Sequence, residues 1–349
     1  MEITLREAQG QFTKFLVDVY RERPQPTAFL RSFFPSVVTN SLNVSIAVQR
    51  GTEKIAVDVI RGADGNRNTV SKSTEKIFQP PLYNEYFDMT ELDLYNIYWK
   101  STAIDAGMFV DYVNQVADSV QLQRDKIERA YELQCAQALQ TGIVQLASSD
   151  NIDFKRKAAS LADESATPWT TNTNDPFATL LRAGKFLREV GKVQGGLINV
   201  IMSETAFTAF TQNTLVQTRA WIRNFHIDNI SEPQRNALGA SYMGRTSSGA
   251  YNFDLWTYPE VYENAAGVIT PYITPGLVIC LPVQTKFKLA FGAVPRLISD
   301  GGIEAAKGEY VMNNYRDMKK TADIMDVKSA GIAIPTAIDQ IYTVRVLPA

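Results

Sequence analysis

Residues 41–92 read SLNVSIAVQRGTEKIAVDVIRGADGNRNTVSKSTEKIFQPPLYNEYFDMTEL, and this stretch decides the fold. From 41 to 60 the chain is rich in β-branched residues, with Val44, Ile46 and Val48, then Ile55, Val57 and Val59, alternating with small or polar ones. Residues 62–76 are almost wholly polar, Val70 being the one large apolar side chain among them. A second extended leg begins at Ile77 and runs to about Leu94. It contains Pro80 and Pro81, which mark a sheet edge or a break because proline cannot donate to a ladder. The pattern predicts a two-stranded β-ribbon with a large polar tip. Each leg of ~18 residues, at ~3.3 Å per residue, reaches ~60 Å, well beyond the radius of a domain this size. Isolated ribbons are marginal in water, so the simplest way to stabilise this one is to lay it on another subunit.

On the amino side of the ribbon, Thr4 and Glu7 have capping-box spacing. Leu5, Ala8, Phe12, Phe15, Leu16 and Val19 then recur every three or four residues, predicting an amphipathic helix stopped by Pro24 and Pro26. Phe29, Leu30, Phe33 and Phe34 form an aromatic anchor before Pro35. On the carboxyl side, Phe109, Tyr112, Val113, Val116, Val120, Ile127, Tyr131, Cys135 and Leu139 keep a helical step. They predict a helix of ~50 Å over 108–141, ended by Gly142. Short strands are expected at 143–146 and 152–154.

Asp175 before Pro176 is a helix start, an N-cap acceptor followed by a residue that needs no donor. A buried strand is expected at 197–202, then a short helix capped by Ser203. This alternation suggests an α/β layer. Residues 219–249 read as mostly polar loop, and strands resume at 253–258, 277–281, 287–291 and 341–347.

Composition bounds the function. The 349 residues are 45% hydrophobic and 10% aromatic, normal for a chain with a sizeable core. Lys plus Arg is 35 against 37 for Asp plus Glu, which argues against holding nucleic acid by phosphate neutralisation. The longest apolar run is about seven residues near Leu277, far short of the ~20 of a membrane helix. Two distant cysteines, Cys135 and Cys280, make no disulfide framework and fit synthesis in a reduced, cytoplasmic setting. The single histidine, His226, lowers the weight of His-dependent hydrolysis and most zinc chemistry.

Searching for chemistry yields near-misses. No phosphate loop, H-E-x-x-H or C-x-x-C occurs. Asp64, Asn66, Asn68 and Glu75 have calcium-loop spacing, but Thr69 stands where the sharp turn needs glycine. Arg219, Trp221, Arg223, Phe225 and His226 interleave basic and aromatic side chains, which reads better as a loop meeting protein than as a single-strand binder. Asp88, Glu91 and Asp93 could supply paired carboxylates. No catalytic, cofactor-binding or metal residue is assigned, and no cofactor is expected.

The positive features are architectural, and they carry a resemblance. Phe29-Leu-Arg-Ser-Phe-Phe, Ile55-Ala-Val-Asp-Val-Ile-Arg-Gly, Pro80-Pro-Leu-Tyr, Asn199-Val-Ile-Met, Thr274-Pro-Gly-Leu-Val and Ser329-Ala-Gly-Ile-Ala-Ile-Pro through Val346 match in order and spacing over nearly the whole chain. The chain resembles the lambda-like (E-type) major capsid proteins of tailed bacteriophages, which have the Hong Kong 97-type capsid fold. The resemblance implies an α+β fold with an N-arm (1–40) and a long β-hairpin E-loop (41–92). A P domain with the spine helix (93–165 plus 302–327) and an A domain (166–301 plus 328–349) complete it.

What the resemblance implies about function is a structural, non-enzymatic subunit. It would self-assemble as hexamers and pentamers into the icosahedral head, procapsid then mature shell, enclosing the phage double-stranded DNA. Expected partners are other copies of the chain, a separate scaffolding protein, a portal protein and a decoration protein at three-fold sites. DNA would be packaged on the inner face without sequence specificity, and no membrane is involved. The subunit would assemble in the host cytoplasm and reside in the virion. Phe29, Phe33, Phe34, Arg61, Arg67, Lys72, Lys76, Trp221 and Arg223 are the expected assembly contacts. Two other readings stay open: an encapsulin-like compartment shell, and an enzyme using Asp88, Glu91 or Asp93.

Overall fold

The computed structural model describes residues 25–48, 74–90, 93, 107–146, 151–171, 174–194, 196–222, 234–235, 238–297, 302–317 and 322–348. The expected amino-terminal helix and the ribbon tip lie outside these residues. A 3-10 turn (Arg31–Phe33) precedes β1 (Ser36–Val38), β2 (Val44–Val48), β3 (Thr74–Phe78) and β4 (Leu82–Thr90). The long helix α1 (Gly107–Gln140) is followed by β5 (Ile143–Val144), β6 (Ile152–Asp153) and β7 (Leu161–Asp163). Next come α2 (Pro176–Glu189), β8 (Leu197–Met202), α3 (Glu204–Gln212) and α4 (Thr214–Ile222). Strands β9 (Gln234–Arg235), β10 (Ser241–Ser248), β11 (Tyr251–Thr257), β12 (Val261–Glu263) and β13 (Ile269–Pro271) lead to β14 (Leu277–Pro282). The chain closes with β15 (Lys288–Phe291), β16 (Val294–Leu297), β17 (Ile303–Ala306), β18 (Val311–Asp317), β19 (Ala322–Ile334) and β20 (Tyr342–Arg345).

A seven-stranded sheet runs β7-β20-β14-β8-β11-β10-β9. Strand residues alternate between its faces, and each face meets a different core. Ile198, Val200, Met202, Phe253, Leu255, Val278, Cys280, Tyr342 and Val344 face a core shared with Phe177, Leu180 and Leu187 of α2 and with Ala206, Ala209 and Phe210 of α3. Ile201, Leu277, Ile279 and Leu281 point the other way, into a core built on Ile127, Tyr131, Cys135 and Leu139 of α1. Asp175 caps α2 by accepting from the Phe177 N–H at 3.0 Å. Ser203 caps α3 through the Ala206 N–H at 3.3 Å.

The second sheet centres on β19. Its residues 331–334 pair with β15, whose other edge takes β1 in parallel. Residues 322–328 carry β18 on one edge, and 322–330 carry β4 on the other. Helix α1 packs on this sheet through the same core, so it bridges the two sheets. Its carboxyl end is closed by Gly142 at φ +76°, a left-handed position that glycine takes at no steric cost.

Three expectations change. The second ribbon leg divides at Pro80 and Pro81. Among the described strands β3 pairs with the first leg, in the register Val44↔Phe78 to Val48↔Thr74, while β4 joins β19 of its own chain. The prolines mark a break rather than an edge, so the second leg is not one continuous ribbon strand. The boundary expected between 327 and 328 also falls inside β19, which runs unbroken from Ala322 to Ile334. Finally, 219–249 is not all loop: β10 is a full strand, turned back onto β11 at Gly249 with φ +61°. Its sequence is polar because the ladder and the Arg245–Asp254 cross-strand pair hold it, with Nε to Oδ1 at 2.6 Å, rather than an apolar face.

Candidate assembly site

Two features could meet another molecule: the root of the arm and the base of the ribbon. The chain passes through the 3-10 turn, which sends Phe29 and Phe34 into the protein. Phe29 and Phe34 are buried, and Phe33 is half-buried against them. The Phe29 ring sits 5.4 Å from Phe33, 5.5 Å from Trp256 and 5.6 Å from Tyr258, and Phe34 lies 5.1 Å from Phe287. These three expected contacts are therefore occupied within the chain.

Beneath the turn lies Glu132 of α1, with no solvent exposure. Its Oε1 accepts from the Leu30 N–H at 2.8 Å and from the Tyr258 hydroxyl at 2.7 Å, and its Oε2 accepts from the Arg31 N–H at 2.9 Å. Burial pushes its carboxyl up to about 7, against the pull of these donors and of the Arg31 charge. The Arg31 guanidinium pairs with Glu128 and, at 3.3 Å, with Glu309. Tyr310 donates to Glu128 and lies 4.8 Å beneath the Arg124 guanidinium. The arm root is thus fastened to α1, to the end of β11 and to the segment before β18.

The ribbon base leaves the body where Ser41 accepts from the Ala293 N–H at 3.0 Å. A side chain at Gly292 would stand 3.1 Å from the Leu42 carbonyl and 3.3 Å from Pro80, so the chain crosses here in close contact. Strands β2 and β3 form a two-stranded sheet that no other described strand joins. Ile77 on β3 is 69% exposed, and Leu42, just before β2, is 56% exposed. Strand β4 alternates between faces, with Met89 buried and Leu82 and Tyr86 more than half exposed. Among the described strands β4 pairs only with β19, so its outer edge carries no described partner.

Of the other expected contacts, Lys76 lies on β3 opposite Ile46, and Trp221 lies in α4. Arg61, Arg67, Lys72 and Arg223 fall outside the described residues, as do Asp64, Asn66 and Asn68. Of the candidate carboxylates, Asp88 is an exposed β4 residue, and Glu91 is not among the described residues. Asp93 accepts from the Thr90 N–H at 3.1 Å and hydroxyl at 2.6 Å, bonds that hold its carboxyl below the usual range. They mark a turn. Sequence reading missed Glu132, Glu128 and Arg31. The signal was a pair of acids four residues apart bordering the apolar stripe of Ile127, Tyr131 and Cys135.

The model of the phage major capsid protein E family matches residues 13–346. No curated protein matches the chain in sequence. Among solved structures, a candidate capsid protein of a prophage from E. coli CFT073 is 14% identical. The alignment covers 96% of this chain and 98% of that one, with a TM-score of 0.60. A phage-related protein from Bordetella bronchiseptica RB50 is 12% identical over 97% of each chain, with a TM-score of 0.51. The capsid of an empty GTA particle is 11% identical over 100% of each chain, with a TM-score of 0.50. At such identities the likeness is one of fold.

Proposed function

Since the chain belongs to the phage major capsid protein E family, and is thereby a structural subunit of a phage capsid, we propose that it assembles as hexamers and pentamers. These tile an icosahedral head around double-stranded DNA, first as a procapsid and then as the mature shell. The observation that carries this reading is the β2–β3 ribbon, a two-stranded base joined by no other described strand, with Ile77 on its surface. Such a ribbon is marginal alone and gains stability when a neighbouring copy lies against it. A head-to-tail contact of this kind is heterologous and closes into rings. Several weak contacts per subunit then add through multivalency.

In this reading α1 and the β19-centred sheet make up the peripheral domain, and the seven-stranded sheet with α2 and α3 makes up the axial domain. The role is structural rather than enzymatic. The near-neutral balance of 35 basic and 37 acidic residues suits a shell that contains DNA without gripping it. A separate scaffolding protein, a portal and a three-fold decoration protein complete the expected set of partners. Assembly takes place in the host cytoplasm.

Deleting residues 62–73 tests the proposal. The shortened subunit should keep its circular dichroism spectrum and melting temperature but form no closed shells by electron microscopy. Shells of normal size from the deletion would show that the ribbon is not an assembly arm.

A further inference from the structure

Thr27, Tyr258 and Glu132 form a line of oxygens from the arm to the long helix. Thr27 Oγ1 lies 2.7 Å from the Tyr258 hydroxyl, and either can donate to the other. The Tyr258 hydroxyl lies 2.7 Å from Glu132 Oε1. With Glu132 ionised, the hydrogens run from Thr27 to Tyr258 to the carboxylate. With Glu132 protonated, the line reverses: the carboxyl donates to Tyr258, and Tyr258 donates to Thr27. In that state Oε2 still accepts from the Arg31 N–H, and Oε1 still offers a lone pair to the Leu30 N–H. Both states are fully hydrogen-bonded, and they differ in whether a charge is buried. Burying a charge is costly even when it is hydrogen-bonded.

The surroundings do little to offset that cost. The titratable groups that act on Glu132 besides Arg31 are Cys135 of α1, Tyr258 after β11 and Tyr272 after β13, and Arg129, Glu260 and Tyr262 stand around Tyr272. The cation nearest in effect is Arg31, whose guanidinium is already shared between Glu128 and Glu309.

We propose that Glu132, Tyr258 and Thr27 form a proton-operated clasp, which tightens the arm root on the long helix when Glu132 takes up a proton and loosens it when the proton leaves. The linkage has a definite sign. An arm that lifts away exposes Glu132 to water and returns it to ordinary carboxylate behaviour. The docked form, with Glu132 near 7, therefore binds a proton that the lifted form does not. Docking strengthens as pH falls below about 7 and weakens as pH rises through it. The clasp stands whether or not the assembly reading does.

Hydrogen exchange of the full-length unassembled subunit tests it, read as protection of amides 28–34 and corrected for the intrinsic pH dependence. Amides of β14 serve as the internal reference. Protection should rise by about tenfold or more between pH of about 8.5 and about 5.5, since each unit of raised pKa is worth about a factor of ten in proton binding. Thr27→Val removes the acceptor at the end of the reversed line, so its midpoint should move down by about one pH unit. A flat wild-type profile, protection that falls in acid, or a Thr27→Val profile superimposable on wild type would each overturn the clasp. The subunit is read before assembly, so this outcome is separate from whether shells form.

Discussion

Arg156 donates to six oxygens: the carbonyls of Leu139, Gln140, Ser160 and Ile341 and the hydroxyls of Ser160 and Thr343, at 2.8 to 3.2 Å. Two of these carbonyls end α1, where no intrahelical donor remains, so one guanidinium joins the long helix to the tail strand. Burial lowers its pKa to about 10, so it stays charged at neutral pH. Arg156→Met should cost about 3 kcal/mol in urea unfolding, because charge-assisted bonds are lost and carbonyls are left unpaired. A loss below about 1 kcal/mol would mean that water replaces the guanidinium. Gly331 makes a converse case. A Cβ there would stand 2.7 Å from Tyr131 Cε1 and 2.8 Å from Phe291 Cε1, inside an edge-to-face pair at 5.4 Å. Gly331→Ala should destabilise by about 1–3 kcal/mol through overpacking, again read by urea unfolding; an unchanged midpoint would show that the rings can shift. Neither residue announced itself in the sequence. A lone Arg among polar neighbours and a Gly in an apolar run acquire these roles only from segments far away in the chain.

Among the elements, those held by local physics were legible. The predicted helix at 108–141 is α1 (Gly107–Gln140), and Asp175–Pro176 opens α2, because spacing, caps and proline act within a few residues. Strand β4 was not legible in its pairing. Its partner β19 is more than two hundred residues away, and the sequence offered the nearer ribbon leg instead. The alternation of β4 nevertheless separates two kinds of consequence. Met89 is wholly buried, so Met89→Ala should cost about 2–5 kcal/mol in unfolding experiments while leaving residual assembly in proportion to the folded fraction. Leu82 is 55% exposed at the open edge, so Leu82→Lys should change stability by no more than about 0.5 kcal/mol. A charge there should nonetheless lower the yield of shells in sedimentation, since charged side chains blunt a strand edge against pairing. Wild-type yield from Leu82→Lys would place that edge in solvent.

For the whole molecule, the sequence revealed the architecture more clearly than the site. The reason is that assembly surfaces are defined by what a single chain leaves uncovered. Phe29, Phe33 and Phe34 looked like contacts for a partner, yet the chain's own core takes them. The arm therefore has two parts with different physics. Residues 27–34 belong to the folded body, tied by Glu132 and by buried Phe29, Leu30 and Phe34. Residues 1–24 precede that tie, and their apolar stripe of Leu5, Phe12, Phe15 and Leu16 needs a surface to lie on. Two truncations distinguish these parts. Removing 1–34 takes three large apolar side chains from the core, worth about 6 kcal/mol together, and should lower the melting temperature by on the order of 10 °C. Removing 1–24 leaves every one of those contacts in place, so the subunit should melt as the full chain does, while the yield of closed shells falls. If the shorter truncation instead melts early and assembles in proportion to what remains folded, the stripe packs on its own subunit. The arm would then be a stabilising strap, and the lattice would have to be held by the ribbon and the β4 edge alone.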